Sequence, residues 1–341
     1  MTVLKAYKFQ MYPTKEQKRF FIQNFGCVRF TYNHLLIDRQ QQYYQAGFVR
    51  NRRTPASLKK DYPFLKEADS LALANAQLNL ERAFRNYFRG MTGFPRLKTK
   101  KSLWQSYTTN NQQGTIQVKN RYFLKLPKLK TLIKIDGHRL VEGKIKSATI
   151  SARRNEQFYV SLLCEEEIEL LPKTSQMVGL AFCAKLGIVS SSVIQNKPII
   201  KGQETAKKIL KAKRQLKGKV ISARRRKVRL ADASNYQRQK TKLAALYQHQ
   251  RWQKKDYLEK ISYLFIRQFD VLFVEMHPLF SLSEWFYEED WRGFLQILQY
   301  KAEWYGKQVF FVDVSRLSPK NPQERSHQIK EIGQTFYENQ L

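Results

Sequence analysis

The residues of this chain best equipped for chemistry are one acid and two stretches of base. Glu275 closes the apolar run Val271-Leu272-Phe273-Val274, the pattern of a central strand whose terminal carboxylate points out at the sheet edge. A lone carboxylate holds a divalent cation only weakly, because such an ion needs several oxygen ligands and its charge must be neutralised. The bases suit a different task. Gly93-Phe94-Pro95-Arg96-Leu97-Lys98-Thr99-Lys100-Lys101 reads as an extended basic segment with an aromatic inside it, suited to tracking a phosphate backbone. A second cationic run lies in a long helical region from Lys201 to Arg229 and includes Arg224, Arg225 and Arg226. A charge run is usually a solvated helix face, but one with so few interspersed acids favours contact with nucleic acid.

The whole composition points the same way. Of 341 residues, 62 are Lys or Arg and 28 are Asp or Glu, a formal net charge of +34, which implies a polyanionic partner. The hydrophobic fraction of 42% is that of a globular protein, and the length allows about two or three domains. No apolar run reaches the ~20 residues that span a bilayer, and Met1-Thr2-Val3-Leu4-Lys5 lacks the apolar core of a signal peptide. The expectation is a soluble, cytoplasmic, nucleoid-associated bacterial protein with no membrane partner. Cys27, Cys164 and Cys183 stand far apart, without the paired spacing of a zinc ribbon or a disulfide framework.

These groups must be positioned by a mixture of elements. Val3 to Phe9 alternates as a strand, and Thr14 with Gln17 forms a capping box that opens a helix. After Gly26 a second helix is expected, then a loop over Val49 to Pro63, then a helix from Leu71 to Arg89. Short strands follow at Thr115–Val118, Phe123–Leu126, Leu132–Ile135, Ala148–Ile150 and Phe158–Leu163, a spacing that suggests a small barrel. Met177-Val178-Gly179-Leu180-Ala181-Phe182 and Leu186 to Ser190 read as a buried hairpin, with a third strand at Lys197–Ile200. A long helical region, the strand ending in Glu275, a helix near Phe294–Trp304 and a strand at Val309–Val312 complete the order, and polar sequence follows.

From Met177 onward this order resembles the RNase H or RuvC arrangement, in which carboxylates at strand ends hold two divalent metals for phosphodiester attack. The resemblance extends over nearly the whole chain. Lys5-Ala6-Tyr7-Lys8-Phe9 with Tyr12-Pro13-Thr14 and Gln17, Arg29-Phe30 with Tyr32-Asn33, Gly93-Phe94-Pro95-Arg96-Leu97-Lys98, Ser106-Tyr107-Thr108, Leu124-Lys125-Leu126-Pro127-Lys128 and Tyr300-Lys301-Ala302-Glu303-Trp304-Tyr305-Gly306-Lys307 resemble, in this order, the TnpB family of transposon-encoded RNA-guided DNA nucleases. The resemblance implies an α+β multidomain fold: a wedge β-barrel from residues 1–9 and 92–172, a helical recognition lobe over 10–91 and a RuvC-like α/β domain over 173–341. The family has an Asp at the position of Ala181, and Glu275 matches its second catalytic acid. Beyond Asp313 the family continues into a four-cysteine zinc ribbon and a third acid, where this sequence has Ser318-Pro319-Lys320-Asn321-Pro322 and no cysteine.

What the resemblance implies is therefore a TnpB-like, nuclease-dead repressor, not an enzyme, with Ala181 and Glu275 vestigial and with neither zinc nor catalytic magnesium. Its required partner would be a guide RNA, and it would occupy double-stranded promoter DNA beside a short flanking motif. Base pairing would supply sequence specificity. Arg52, Arg53, Ser57, Ser70, Asn75 and Thr109 are the candidates for reading that motif, Arg through guanine edges and Asn through adenine edges. Arg29, Tyr32, Asn33, Lys98, Lys100, Lys101, Lys125, Lys128, Arg224, Arg225 and Arg226 are the candidates for RNA or heteroduplex contact. Two alternatives stand beside this reading: a residual metal-dependent nuclease using Glu275, and a general RNA-binding protein.

Overall fold

The computed structural model describes residues 1–46, 53–153, 157–183, 187–194, 202–276, 287–313 and 321–339. The chain forms two compact units, one of Thr2–Glu167 and one of Ile168–Leu341 joined by Met1.

The first unit opens with strand β1 (Thr2–Tyr12) and helix α1 (Lys15–Ala46). Their junction is the expected capping box. The Gln17 N–H donates to Thr14 Oγ1 at 3.3 Å, and the Thr14 N–H donates to Gln17 Oε1 at 3.0 Å, so two N–H groups that no helical turn could satisfy are paired. Gly26 does not divide α1, contrary to expectation. A glycine inside a helix costs about 1 kcal/mol against alanine, and the buried faces of Phe21, Phe25, Leu35 and Leu36 hold the helix straight through it. Helix α2 (Pro55–Asp61) stands where a loop was expected. Thr54 caps it and Pro55 supplies a pre-set first turn, so a short helix forms in a proline-marked stretch. A 3-10 turn (Pro63–Lys66) and helix α3 (Ser70–Phe88) follow.

Strands β2 (Trp104–Asn110), β3 (Gln117–Lys119), β4 (Phe123–Lys125), β5 (Ile133–Ile135), β6 (Lys144–Arg153) and β7 (Gln157–Glu167) join β1 in one antiparallel sheet. Its order is β2-β6-β7-β1-β5-β4-β3. The long strands alternate, apart from a bulge in β6 between Ile145 and Ser147. Phe9, Met11, Tyr107, Ile150, Phe158, Val160 and Leu162 face inward and share a single core with Leu73, Leu80 and Phe84 of α3 and the apolar positions of α1. The opposite sheet face is open and mostly polar, with Leu4, Trp104 and Tyr159 among its apolar side chains.

The second unit carries β8 (Met177–Cys183), β9 (Gly187–Ser190), α4 (Gln203–Arg225), α5 (Ser234–Gln268), β10 (Val271–Glu275), α6 (Glu288–Tyr305), β11 (Gln308–Val312) and α7 (Pro322–Glu338). The sheet order is β11-β10-β8-β9, with β8, β10 and β11 parallel and β9 antiparallel to β8. The strand expected at Lys197–Ile200 lies outside the described residues. Helix α7 falls where polar sequence was expected, and Asn321 caps it by accepting from the Gln323 N–H at 3.0 Å. Both sheet faces are covered, as the apolar runs of β8 and β10 require. Leu180, Phe182, Leu272 and Val274 pack with Ile261 and Phe265 of α5 and Phe294 and Leu298 of α6. Ala181, Val271 and Phe273 pack with Ile329 of α7.

Candidate nucleic-acid interface

Strand register decides what surrounds the one acid singled out above. Val274 lies beside Leu180 in the parallel β8–β10 pair, so one step further places residue 275 next to residue 181. Both belong to the face covered by α7. Glu275 does not project at the sheet edge, as the sequence suggested, but is fully buried. Its Oε2 accepts from the Phe182 N–H at 3.1 Å, and its Oε1 forms an ion pair with the Arg325 guanidinium of α7, itself buried. Burial pushes the Glu275 carboxyl above its ordinary value, while the Phe182 N–H and the Arg325 charge pull against that rise.

Two glycine-sized approaches hold α7 in this place. A Cβ on Gly179 would lie 2.1 Å from the Ser326 carbonyl oxygen and 2.7 Å from the Lys330 nitrogen, so the helix backbone rests directly on β8. A Cβ on Gly333 would lie 2.3 Å from the Phe273 ring. Arg325 and its helix escaped the sequence reading; the spacing of Arg325, Ile329 and Gly333 at four-residue steps was the available signal.

The divalent metals implied by the resemblance do not fit the described residues around Glu275. Ala181 offers no donor atom, and the guanidinium of Arg325 already lies against the carboxylate where a cation would be held. Among the described residues no group of three or more His, Cys, Asp or Glu is placed to hold a metal ion. Asp270, at the other end of β10, acts as a turn lock: it accepts from the Thr174 and Ser175 N–H groups at 2.8 and 2.6 Å and from Lys307 Nζ at 2.5 Å. Burial works to raise its carboxyl, but these donors outweigh it and hold the group below its ordinary value.

In the first unit the RNA-side candidates converge on a groove between α1 and the segment that precedes β2. Arg29 Nη1 donates to Gln105 Oε1 at 2.8 Å. Asn33 clamps the backbone of Lys98 through two 2.9 Å hydrogen bonds, one in each direction, and Lys98 Nζ stands 4.2 Å from the centre of the buried Tyr32 ring. Arg29, Lys98 and Trp104 line a cavity of about 380 Å³ there. Lys100 and Lys101 are exposed beside it, whereas Lys125 and Lys128 are exposed on and after β4; Lys128 Nζ donates to the Lys66 carbonyl at 2.6 Å. Arg224, Arg225 and Arg226 form the exposed C-terminal end of α4 in the second unit.

The motif-reading candidates are less united. Arg53 pairs with Asp61 at 3.7 Å. Ser57 is committed to the α2 capping box, and Ser70 accepts from Lys59 Nζ at 2.7 Å. Asn75 donates to the Leu71 carbonyl at 2.9 Å and, at 3.4 Å, to Asn110 Oδ1 of β2. Thr109 is buried, and its hydroxyl is buried with it. Arg52 lies outside the described residues.

Comparison with known proteins sets a class first. The fold matches that of Cas12f1 in a Cas12f1-sgRNA-target DNA complex with a TM-score of 0.55 at 12% identity, over 92% of this chain and 89% of that one. The chain thus has a Cas12f-like α+β fold. Residues 1–47 match a helix-turn-helix domain, HTH_OrfB_IS605, here seen as β1 and the single long helix α1. A Streptomyces pristinaespiralis protein provisionally named RNA-guided DNA endonuclease is 28% identical over 91% of this chain and 78% of its own length. A second, InsQ of Escherichia coli K12, with the same provisional name, is 26% identical over 100% of this chain and 86% of its own. A virulence protein of Salmonella dublin, VsdF, is 35% identical over 29% of this chain and 89% of its own. Over nearly its whole length the chain is thus similar to proteins named RNA-guided DNA endonucleases, and over its first 47 residues to the HTH_OrfB_IS605 family.

These relatives correct one expectation. The chain was expected not to be an enzyme, on the strength of Ala181 and the missing third acid. Relatives aligned with nearly its whole length are named endonucleases, which are enzymes, and that overturns the expectation. Among the described residues no helix is long and apolar enough to cross a membrane.

Proposed function

We propose that this protein carries a guide RNA to complementary double-stranded DNA, binds it beside a short flanking motif, and represses transcription by occupying promoter DNA. The observation that carries the reading is the alignment of nearly the whole chain with relatives named RNA-guided DNA endonucleases. The fold shared with a protein solved with guide RNA and target DNA supports it, as does the net charge of +34. In this reading the α1, α2 and α3 region serves as the recognition lobe, the seven-stranded sheet as the wedge and the second unit as a RuvC-like domain. Arg53, Ser70 and Asn75 face the flanking motif, with Arg29, Lys98, Lys100 and Lys101 along the RNA. Binding itself requires the guide but neither zinc nor magnesium, and occupancy places the protein at the nucleoid.

The names of the relatives favour a second reading, an RNA-guided endonuclease. One experiment separates the possibilities. The protein is purified with its RNA, that RNA is sequenced, and matched or mismatched duplexes are offered with and without Mg²⁺ while both gel retardation and cutting are followed. Guide-dependent retardation of the matched duplex without Mg²⁺, together with lowered output from a promoter carrying the target, supports the proposal. Mg²⁺-dependent cutting of the matched duplex supports the second reading. Equal retention of both duplexes, with a random RNA population, overturns both in favour of general RNA binding.

A further inference from the structure

The outward face of the seven-stranded sheet carries a pair of aromatic rings. Trp104 opens β2, 44% exposed. Cross-strand register carries the row from Ser106 to Ser151 on β6 and then to Tyr159 on β7, with Arg153 directly opposite Trp104. The two rings meet at a centroid distance of 5.9 Å and an angle of 47°. Lys8 of β1 stands on the same face, its Nζ 5.0 Å from the Tyr159 ring and 5.8 Å from the Trp104 ring.

Opposite-side neighbours of this row, Tyr107, Ala152 and Phe158, are buried in the core, so alternation fixes the Trp104–Tyr159 pair outward. Strands β6 and β7 are paired on both sides and the edge strand β2 is paired along its whole length with β6, so their register does not depend on that pair. A large indole placed on the solvent side of a sheet edge loses little if removed from the fold. The surrounding outward side chains are hydroxyls, amides and cations, with no carboxylate among Lys8, Gln10, Ser106, Ser151, Arg153, Gln157 and Ser161. Trp104 also borders the cavity of about 380 Å³ that Arg29 and Lys98 line.

We propose that Trp104 and Tyr159, with Lys8 and Arg153 beside them, form a stacking platform for unpaired bases of a single-stranded nucleic acid, whose phosphates turn toward Arg29 and Lys98. The chemistry commits the face to this occupant. Indole and phenol rings accept any base face, and the adjoining cations neutralise the phosphates that a stacked strand brings with it. An acidic protein segment would satisfy the cations but leave the rings without a flat partner. The proposal deepens the RNA-guided reading by naming a surface for unpaired nucleotides, but the platform acts on short strands with no guide at all.

Fluorescence anisotropy with the full chain tests it, using a short single-stranded oligonucleotide, the same strand with abasic sites and a duplex of equal charge. Trp104→Ala should weaken binding of the single strand by about five- to hundredfold, the range for one lost base–aromatic stack. Tyr159→Ala should act in the same direction, and Trp104→Phe should keep most of the affinity. Wild-type protein should lose a similar factor on the abasic strand, while duplex affinity stays within about twofold in every variant. RNA and DNA versions of the strand separate a guide from a displaced target strand as the source of the bases. Circular dichroism and the melting temperature show that each variant is folded. The platform is overturned if Trp104→Ala and Tyr159→Ala bind the single strand like the wild type, or if their losses are the same for single strand, abasic strand and duplex. Failure of guide-directed DNA binding alongside intact base-dependent binding would sink the guided reading and leave the platform standing.

Discussion

Two sheets in this protein keep their distinctive side chains under opposite conditions. The four-stranded sheet is covered on both faces, and its acid, Glu275, is sealed beneath α7 with Arg325 as its counter-charge. The seven-stranded sheet is covered on one face, and its Trp104 and Tyr159 stand on the other, in reach of a large ligand. A parallel sheet must bury both faces and can tolerate a charge only if it is paired, whereas an antiparallel sheet can leave one face for binding. Buried ionic chemistry and exposed recognition chemistry are thus assigned to different sheets by topology.

The sharpest way to break the comparison is to unseal Glu275. Arg325→Met leaves a buried carboxylate without its cation and should cost about 3–5 kcal/mol in urea unfolding. Because burial already raises the Glu275 carboxyl, its folded state favours the proton more than the unfolded state does. Without the Arg325 charge that carboxyl rises further, so the loss in Arg325→Met relative to the wild type should deepen as pH rises above the wild-type folded value toward the variant's higher one. Adding Glu275→Gln should restore most of the stability and flatten that dependence. A single variant as stable as the wild type at neutral pH would show that the pair does not seal the sheet.

Gly179→Ala comes next. The new methyl would meet the α7 backbone, and an overpacking cost of about 1–3 kcal/mol is expected in the same measurement; an unchanged midpoint would mean that α7 is not seated on β8. On the open sheet, Trp104→Ala should leave the melting temperature nearly unchanged while weakening single-strand binding, the converse of the two core variants. Thr14→Ala removes one half of the α1 capping box and should cost about 1 kcal/mol. The smallest effect is a slope. Asp270 is held below its ordinary value, so it adds stability above the unfolded carboxylate range that is lost as pH falls through its folded value. Asp270→Asn should flatten this acid limb in a pH series of unfolding midpoints.

Much of the architecture was legible because local rules and tertiary packing agreed. The Thr14–Gln17 capping box, the hairpin around Ala181, the apolar strand ending at Glu275 and the helix through Phe294 each carried a period or a cap that needed no distant partner. Errors arose where packing overrode a local signal. Gly26 reads as a break but lies within α1, whose buried aromatic positions continue on both sides of it. Pro55 marks a loop by composition yet starts α2, since Thr54 satisfies its first turn. Residues 322–338 look merely polar, because a helix seated by glycines and one buried arginine has a narrow apolar stripe.

The candidate site divides along the same line. Arg29 and Asn33 are far from Lys98 in sequence yet meet it in one groove, beside the basic segment that follows Gly93. Thr109 is a candidate by its place in the region where the resembled family reads its flanking motif, and strand alternation turns it inward. Trp104 and Tyr159 were passed over, since neither lies in a basic run and their proximity exists only across three strands.

By itself the sequence determined the charge, the strand that ends in Glu275 and the absence of a carboxylate at Ala181, for these are properties of residue type and local period. Tertiary structure decided that Arg325 closes on Glu275 and that an indole, a phenol and an ammonium share one outward face. The reason is that a counter-charge and a stacking surface are defined by distances between residues, and only register and helix seating set distances across 50 or more positions of chain.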